Sequence, residues 1–244
     1  MLGAMTTALV DSAPTPRAAV PAWARQVLVV YRKDLAIEAA TGEVVVTGAF
    51  FALLVVVLAS LSFFGGPVSA RGVAAGTVWL SVAFAAVLSL GKAWQRERDE
   101  SALDGLLVAP LSRSAIYAGK ALSVWTFLLA VQVVVLPLTL VLFSIDASLL
   151  GPLLIVAAFA TPGVAASGTL FGAMTVRTGA RDLLLAVVLF PLLSPTLLAA
   201  VAATRDLFNG VPLSELGDYL KLMGVFDLVF TAGGLGMFGT LVER

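Results

Sequence analysis

Six runs of predominantly apolar residues, each near the 20 or so that a bilayer core requires, occupy most of this chain. They are Val44 to Phe64, Val73 to Leu90, Ala121 to Phe143, Leu149 to Val176, Leu183 to Ala203 and Leu220 to Val242. Runs of this length are read as membrane helices, because hydrocarbon leaves the backbone no partner outside its own segment. The composition agrees: 60% of the residues are hydrophobic and 12% charged, against about 25% charged in a soluble domain. The fold class is therefore all-α, a polytopic membrane protein with six transmembrane helices.

Lys and Arg set the orientation. Arg17, Arg25, Arg32, Lys33, Lys92, Arg96, Arg98, Arg113, Lys120, Arg177, Arg181 and Arg244 fall on one side of the six spans, and Arg71, Arg205 and Lys221 on the other. The richer side is predicted to be cytoplasmic, with both termini there. The outer loop Thr204 to Asp218 is predicted to carry a small surface helix after Pro212, capped by Ser214. Residues 1–21, rich in Ala, Pro and Thr, read as a disordered tail. Residues 22–43 read as an amphipathic helix lying in the membrane interface. Ala24, Val27, Leu28, Tyr31, Leu35 and Ala39 share one face, opposite Arg25, Gln26, Arg32 and Lys33. Residues 44–244 form the six-helix domain.

The longest polar interruption is Lys92 to Lys120. Within it Leu103, Leu106 and Leu107 fall on one side of a short helix, which Pro110 ends. Glu97, Glu100 and Asp104 sit on its charged front, and Ser112 or Ser114 caps the helix that follows. Such an element is too charged for lipid and too apolar for water, so it suits a membrane edge or a groove on a partner.

Little else carries chemistry. The chain has no Cys and no His, which excludes disulfides, thiolate or imidazole metal sites and a Ser-His-Asp site. Gly91-Lys92-Ala93 and Gly119-Lys120-Ala121 lack the Ser or Thr of a phosphate-binding loop. A net charge of zero predicts no nucleic-acid partner. Asp227, inside the sixth span, costs about 2.5–3.5 kcal/mol on insertion scales. It should face the bundle interior, a neighbouring subunit or water, as a structural hydrogen bond or as part of a pathway. Gln132 and Thr126 in the third span read the same way, more weakly. Gly168-x-x-x-Gly172 and Gly72-x-x-x-Gly76 allow close helix packing. Pro191 and Pro195, four apart, predict a break in the fifth span.

A capped leucine-faced helix between spans two and three, an interfacial helix before span one and no ATPase motif together resemble the ABC-2 permease superfamily. Within it, four stretches are similar to the haem exporter permease family of cytochrome c maturation, CcmB. They are Arg32-Lys33-Asp34-Leu35-Ala36-Ile37-Glu38, the loop Glu97 to Pro110, Ile116-Tyr117-Ala118-Gly119-Lys120 and Phe190-Pro191-Leu192-Leu193-Ser194-Pro195. The resemblance runs from about Arg32 to the C-terminus, with the loop its most specific part. It implies that the helix at Glu97–Pro110 couples to a separate ABC ATPase subunit. The further partner it implies is a haem-handling membrane subunit, in the inner membrane of a bacterium; lipid surrounds the spans, and the second transmembrane half is either another copy of the chain or a different subunit. It also implies a role in haem delivery or in release of a haem-loaded chaperone. With no His or Cys, and only Met174, Met223 and Met237 near or in spans, the usual axial ligands are missing. The chain is expected to bind no cofactor directly and to leave haem to a partner. An ABC-2 exporter of lipid, drug or polysaccharide and a non-transporting scaffold are the alternatives.

Overall fold

The computed structural model describes residues 22–63, 67–99, 105–106, 108–175 and 181–242. Among these residues there are seven α-helices and no strand: α1 (Trp23–Thr41), α2 (Glu43–Ser62), α3 (Pro67–Asp99), α4 (Arg113–Leu142), α5 (Leu150–Thr175), α6 (Arg181–Phe208) and α7 (Gly217–Val242). Among the described residues, five segments are long and apolar enough to cross a membrane: Glu43–Ser62, Ala70–Gln95, Arg113–Leu142, Ala147–Met174 and Gly217–Val242. Residues 1–21, expected as a tail, lie outside the described residues.

Two helices outrun their apolar runs at the same end. α3 continues past Leu90 to Asp99, and α4 begins at Arg113, ahead of Ala121. Their polar turns project from the bundle where α1 lies, here termed the loop end. Ser112 caps α4 by accepting from the Ala115 N–H at 3.3 Å, supplying a partner for one otherwise orphaned donor. At the opposite end the segment after Pro212 is a single 3-10 turn, Leu213–Glu215, with Pro212 in the cap position and no side-chain cap bond. Ser214 does not cap it; the turn is too short to leave a row of unpaired N–H groups.

The core divides by depth. Toward the far end, Trp79, Leu136, Leu153 and Leu207 pack together, and the Trp79 indole donates to Thr204 Oγ1 at 2.8 Å. Toward the loop end, Leu90, Trp94, Tyr117, Leu128 and Phe238 form a second cluster. Here Gly168 and Gly172 open two holes, one turn apart on α5, filled by Leu90 and Trp94 one turn apart on α3. A Cβ at Gly168 would meet a Leu90 methyl at 2.2 Å, and one at Gly172 would meet Trp94 Nε1 at 2.1 Å. The close packing expected of this pair is made inside the chain. At Gly72 and Gly76 an added Cβ would meet nothing within 4 Å among the described residues, so no close packing on that pair is seen among them.

The break expected at Pro191 and Pro195 is absent: α6 is helical from Arg181 through Phe208. Pro195 has no N–H to offer the carbonyl of Pro191. The Ser194 hydroxyl donates to that carbonyl instead, at 2.7 Å. The side chain thus satisfies one of the two carbonyls that the prolines deprive of a backbone N–H.

Candidate functional site: the junction of α1 with the loop end

Helix α1 is fastened at three levels. At its start the Trp23 indole donates to Ser114 Oγ at 3.1 Å, and the Ser112 N–H donates to Gln26 Oε1 at 2.7 Å. In its middle, Val30 is seated over Gly119 of α4, where an added Cβ would stand 2.6 Å from Val30 Cβ. Tyr31 and Thr126 share a hydroxyl hydrogen bond at 3.2 Å. At its end the Glu38 carboxylate accepts from the N–H groups of Val44 and Val45, at 3.2 and 2.8 Å. These are orphan donors in the first turn of α2, where a carboxylate also complements the helix dipole. Gly42 joins α1 to α2 with φ 63°, a left-handed conformation that glycine adopts without the Cβ clash.

The face α1 turns to the bundle is therefore not the one its apolar residues pick out. Gln26, Val30 and Glu38 are buried, whereas Leu28 and Val29 are exposed. Specific hydrogen-bond partners on α2, α4 and the loop decide the rotation, and a pattern of apolar residues carries no record of them.

Between α1, α3 and α4 lies a cluster of four charges. Glu97, near the end of α3, is 4% exposed. Its Oε1 accepts from Lys120 Nζ of α4 at 2.5 Å and from Lys33 Nζ of α1 at 2.9 Å. Asp34 pairs with the same lysines, at 3.0 Å to Lys33 and 3.5 Å to Lys120. The Lys120 ammonium also stands 5.3 Å from the centre of the Trp94 ring, within cation–π range. Burial works to raise the carboxyl of Glu97, but Lys120 and Lys33 outweigh it and hold the group below its ordinary value. Burial works to lower the ammonium of Lys33, and Asp34 and Glu97 outweigh it and hold it above. Glu97 was expected on the charged front of the loop helix; it is an internal anchor instead.

The loop itself is described in part. Glu100, Leu103, Asp104 and Leu107, expected to form the coupling helix, lie outside the described residues. Gly105, Leu106 and Val108 are helical, the Ala109 N–H donates to Gly105 O at 3.2 Å, and the turn stops at Pro110. Leu106 and Leu111 pack against the loop-end core. Leu106 therefore faces its own chain, while Val108, not singled out in the sequence, is 87% exposed. Its signal was present: an apolar residue one position from the leucine face of a polar loop.

Asp227 is half-buried on α7 and accepts from the Gly163 N–H of α5 at 2.5 Å. Of the readings left open for it, the structure shows a hydrogen bond to backbone. The bond falls one residue after Pro162, which itself has no N–H to give the helix. Gln132 is fully buried in α4, with neither amide atom hydrogen-bonded among the described residues.

Residues 25–235 match the family model described as CcmB protein. The chain is similar to proteins named heme exporter protein B. It is 31% identical to that of Rhodobacter capsulatus over 191 residues, covering 75% of this chain and 86% of the relative. For Bradyrhizobium diazoefficiens the identity is 28% over 202 residues, covering 81% and 88%. For Pseudomonas aeruginosa it is 27% over 156 residues, covering 64% and 69%. The matched span begins in α1, crosses the Lys33–Asp34–Glu97–Lys120 cluster and ends in α7, so this membrane chain belongs to the CcmB family.

Proposed function

We propose that this chain is the membrane permease subunit of an ABC-type haem-export system serving cytochrome c maturation, and that it converts motion at its loop end into motion of its spans. The observation that carries this reading is the junction. Glu97 at the entry of the loop and Ser112 and Ser114 at its exit are all bonded to α1. α1 is in turn joined to α2 through Gly42 and Glu38. A displacement of the loop therefore reaches α1, α2, α3 and α4 together.

In this reading ATP is hydrolysed by a separate ABC subunit, since the sequence has no phosphate-binding loop. That subunit docks on the helix between spans two and three, through Leu103 and Leu107 together with Val108. Haem is ligated by a haem-handling membrane subunit, because this chain offers neither imidazole nor thiolate. α6, carrying the run Leu183 to Ala203, also crosses the membrane, as the fifth of six spans. α1 lies in the interface, the loop end faces the cytoplasm of a bacterium with both termini on that side, and a second copy of the chain completes the transmembrane unit.

The test is co-purification of the ABC subunit with this chain in detergent. Val108→Asp, alone and with Leu107→Ser, should release the ABC subunit while the membrane chain keeps its thermal transition. Retention of the ABC subunit by the doubly substituted chain would refute docking at this loop. Haem recovered with the isolated chain as a tight low-spin complex, lost on replacing Met174, Met223 and Met237 by Leu, would refute ligation by a partner.

A further inference from the structure

The four charges between α1, α3 and α4 are unevenly satisfied. Glu97 Oε1 accepts from both Lys120 and Lys33, whereas Glu97 Oε2 is fully buried and has no hydrogen-bond partner among the described residues. Asp34 uses both of its oxygens, Oδ1 toward Lys33 and Oδ2 toward Lys120. An ammonium carries three N–H groups. The two carboxylates take two from Lys120, whose side chain is 6% exposed, and leave the third. A buried carboxylate oxygen without a donor is uncommon in a folded chain and needs an explanation.

Glu97 forms part of the wall of a cavity of about 40 Å³. The wall holds all four charges of the cluster, together with Trp94, Ile37, Val44, Ala93, Val124 and Phe127. One water needs roughly 10–15 Å³ of such space and two to four polar partners, and the cavity offers both. Its contents must be neutral. Two ammonium groups and two carboxylates already sum to zero, and a further ion would stand as an uncompensated charge in a nearly inaccessible site. The contents must also be small, donate to one oxygen and accept from an ammonium. An apolar occupant would leave Oε2 an orphan, and water meets every condition.

We infer that this cavity is an internal hydration site, in which ordered water donates to Glu97 Oε2 and accepts from the third N–H of Lys120, completing the junction of α1 with α3 and α4. The terminal torsion of a glutamate is soft and roughly two-fold. The Glu97 carboxylate can therefore turn and exchange its oxygens, with water serving whichever lysine N–H it releases. The joint can shift without baring a charge, which a dry ion pair in the same place could not do. The inference holds whatever the assembly exports, and whether or not another subunit docks at the loop.

The experiment is hydroxyl-radical footprinting by X-ray radiolysis of the full chain in nanodiscs, with oxidised side chains read by mass spectrometry. Radicals formed from water held in the cavity attack the rings that line it. Trp94 lines the cavity and Trp79 does not, yet the two are almost equally buried, at 2% and 1% exposed. Trp94 should therefore be oxidised severalfold faster than Trp79. Ala93→Leu fills the cavity and should bring Trp94 down to the rate of Trp79; Val44→Ile, the gentler change, should lower it part of the way. Glu97→Leu with Lys120→Met leaves Lys33 and Asp34 as a neutral pair and exchanges a buried ion pair for apolar groups, which folded chains tolerate. It removes the groups that hold the water and should also abolish the excess. Equal rates at Trp94 and Trp79 in the parent chain would overturn the inference. So would an excess at Trp94 that survives the double substitution, or that is unchanged in both filling variants, in proteins that melt like the parent, because the radicals would then reach the ring by another route.

Discussion

Glu97 Oε1 lies 2.5 Å from Lys120 Nζ, and both side chains are nearly inaccessible. A buried pair of this kind contributes little relative to a well-packed apolar pair, but removing one member leaves an uncompensated charge and costs about 3–5 kcal/mol. Glu97→Gln should therefore lower the thermal transition in detergent by an amount in the lower part of that range, because Asp34 still faces both lysines. Glu97→Gln combined with Lys120→Met should recover much of the loss. A melting temperature unchanged by Glu97→Gln would mean that the cluster is not closed in solution.

The same pair sets an acid limit. The Glu97 carboxyl is held below its ordinary value, so its contribution to stability is complete above the unfolded value, about 4.3. It is lost as pH falls from there through the lower folded value. Lys33 is held above its ordinary 10.5; its contribution is complete below that value and lost only as pH rises past it. Melting temperature should be flat with respect to these two groups from about pH 5 to 10 and fall on the acid side more steeply in the parent than in Glu97→Gln. Parallel acid limbs in the two proteins would contradict this assignment.

Ser194 and Pro195 should behave as a coupled pair. Ser194→Ala removes the hydroxyl that donates to the Pro191 carbonyl, at an expected cost of about 1–3 kcal/mol for a group left unsatisfied. Pro195→Ala restores a backbone N–H for the same carbonyl and should make the serine dispensable. A double-mutant cycle measured by thermal or denaturant unfolding checks it, and additive effects would sink the argument.

Gly172→Ala should displace Trp94, because the new Cβ would fall 2.1 Å from the indole nitrogen. Overpacking of this kind costs about 1–3 kcal/mol. Trp94 emission should shift and the transition should drop, whereas Gly76→Ala, with nothing within 4 Å, should leave the chain's own stability unchanged.

Much of the bundle was legible because length and apolarity act locally. The first and fourth apolar runs coincide with α2 and α5 to within a few residues, since each is bounded where polar or turn-forming residues begin. The junction was legible only in part. Glu97, Lys33 and Lys120 were all in view, but the sequence separations between them carry no sign that they meet, and a carboxylate in a charged loop is more often solvated. Ser112 was one of two cap candidates, and geometry chose it. The rotation of α1 escaped because Gln26, Glu38 and Tyr31 have partners on other helices, which amphipathic patterning does not register. The continuity of α6 escaped because a serine hydroxyl takes the place of the N–H that Pro195 lacks, which a count of prolines does not register.

The single-residue joint at Gly42 has a consequence for the order in which the molecule is assembled. Glu38, Gly42, Val44 and Val45 are neighbours in sequence, so the bend between α1 and α2 needs nothing that is synthesised later. Ser112 and Lys120 emerge only after α2 and α3 have been made. The nascent chain can therefore set its first corner early and present Gln26 and Asp34 as a waiting template, onto which Ser112 and Lys120 at the start of α4 are received when they leave the ribosome. A residue with a side chain at position 42 would blur that corner before any of its later partners exist, so its damage should be seen in the yield of inserted protein rather than in the melting of the protein that does insert.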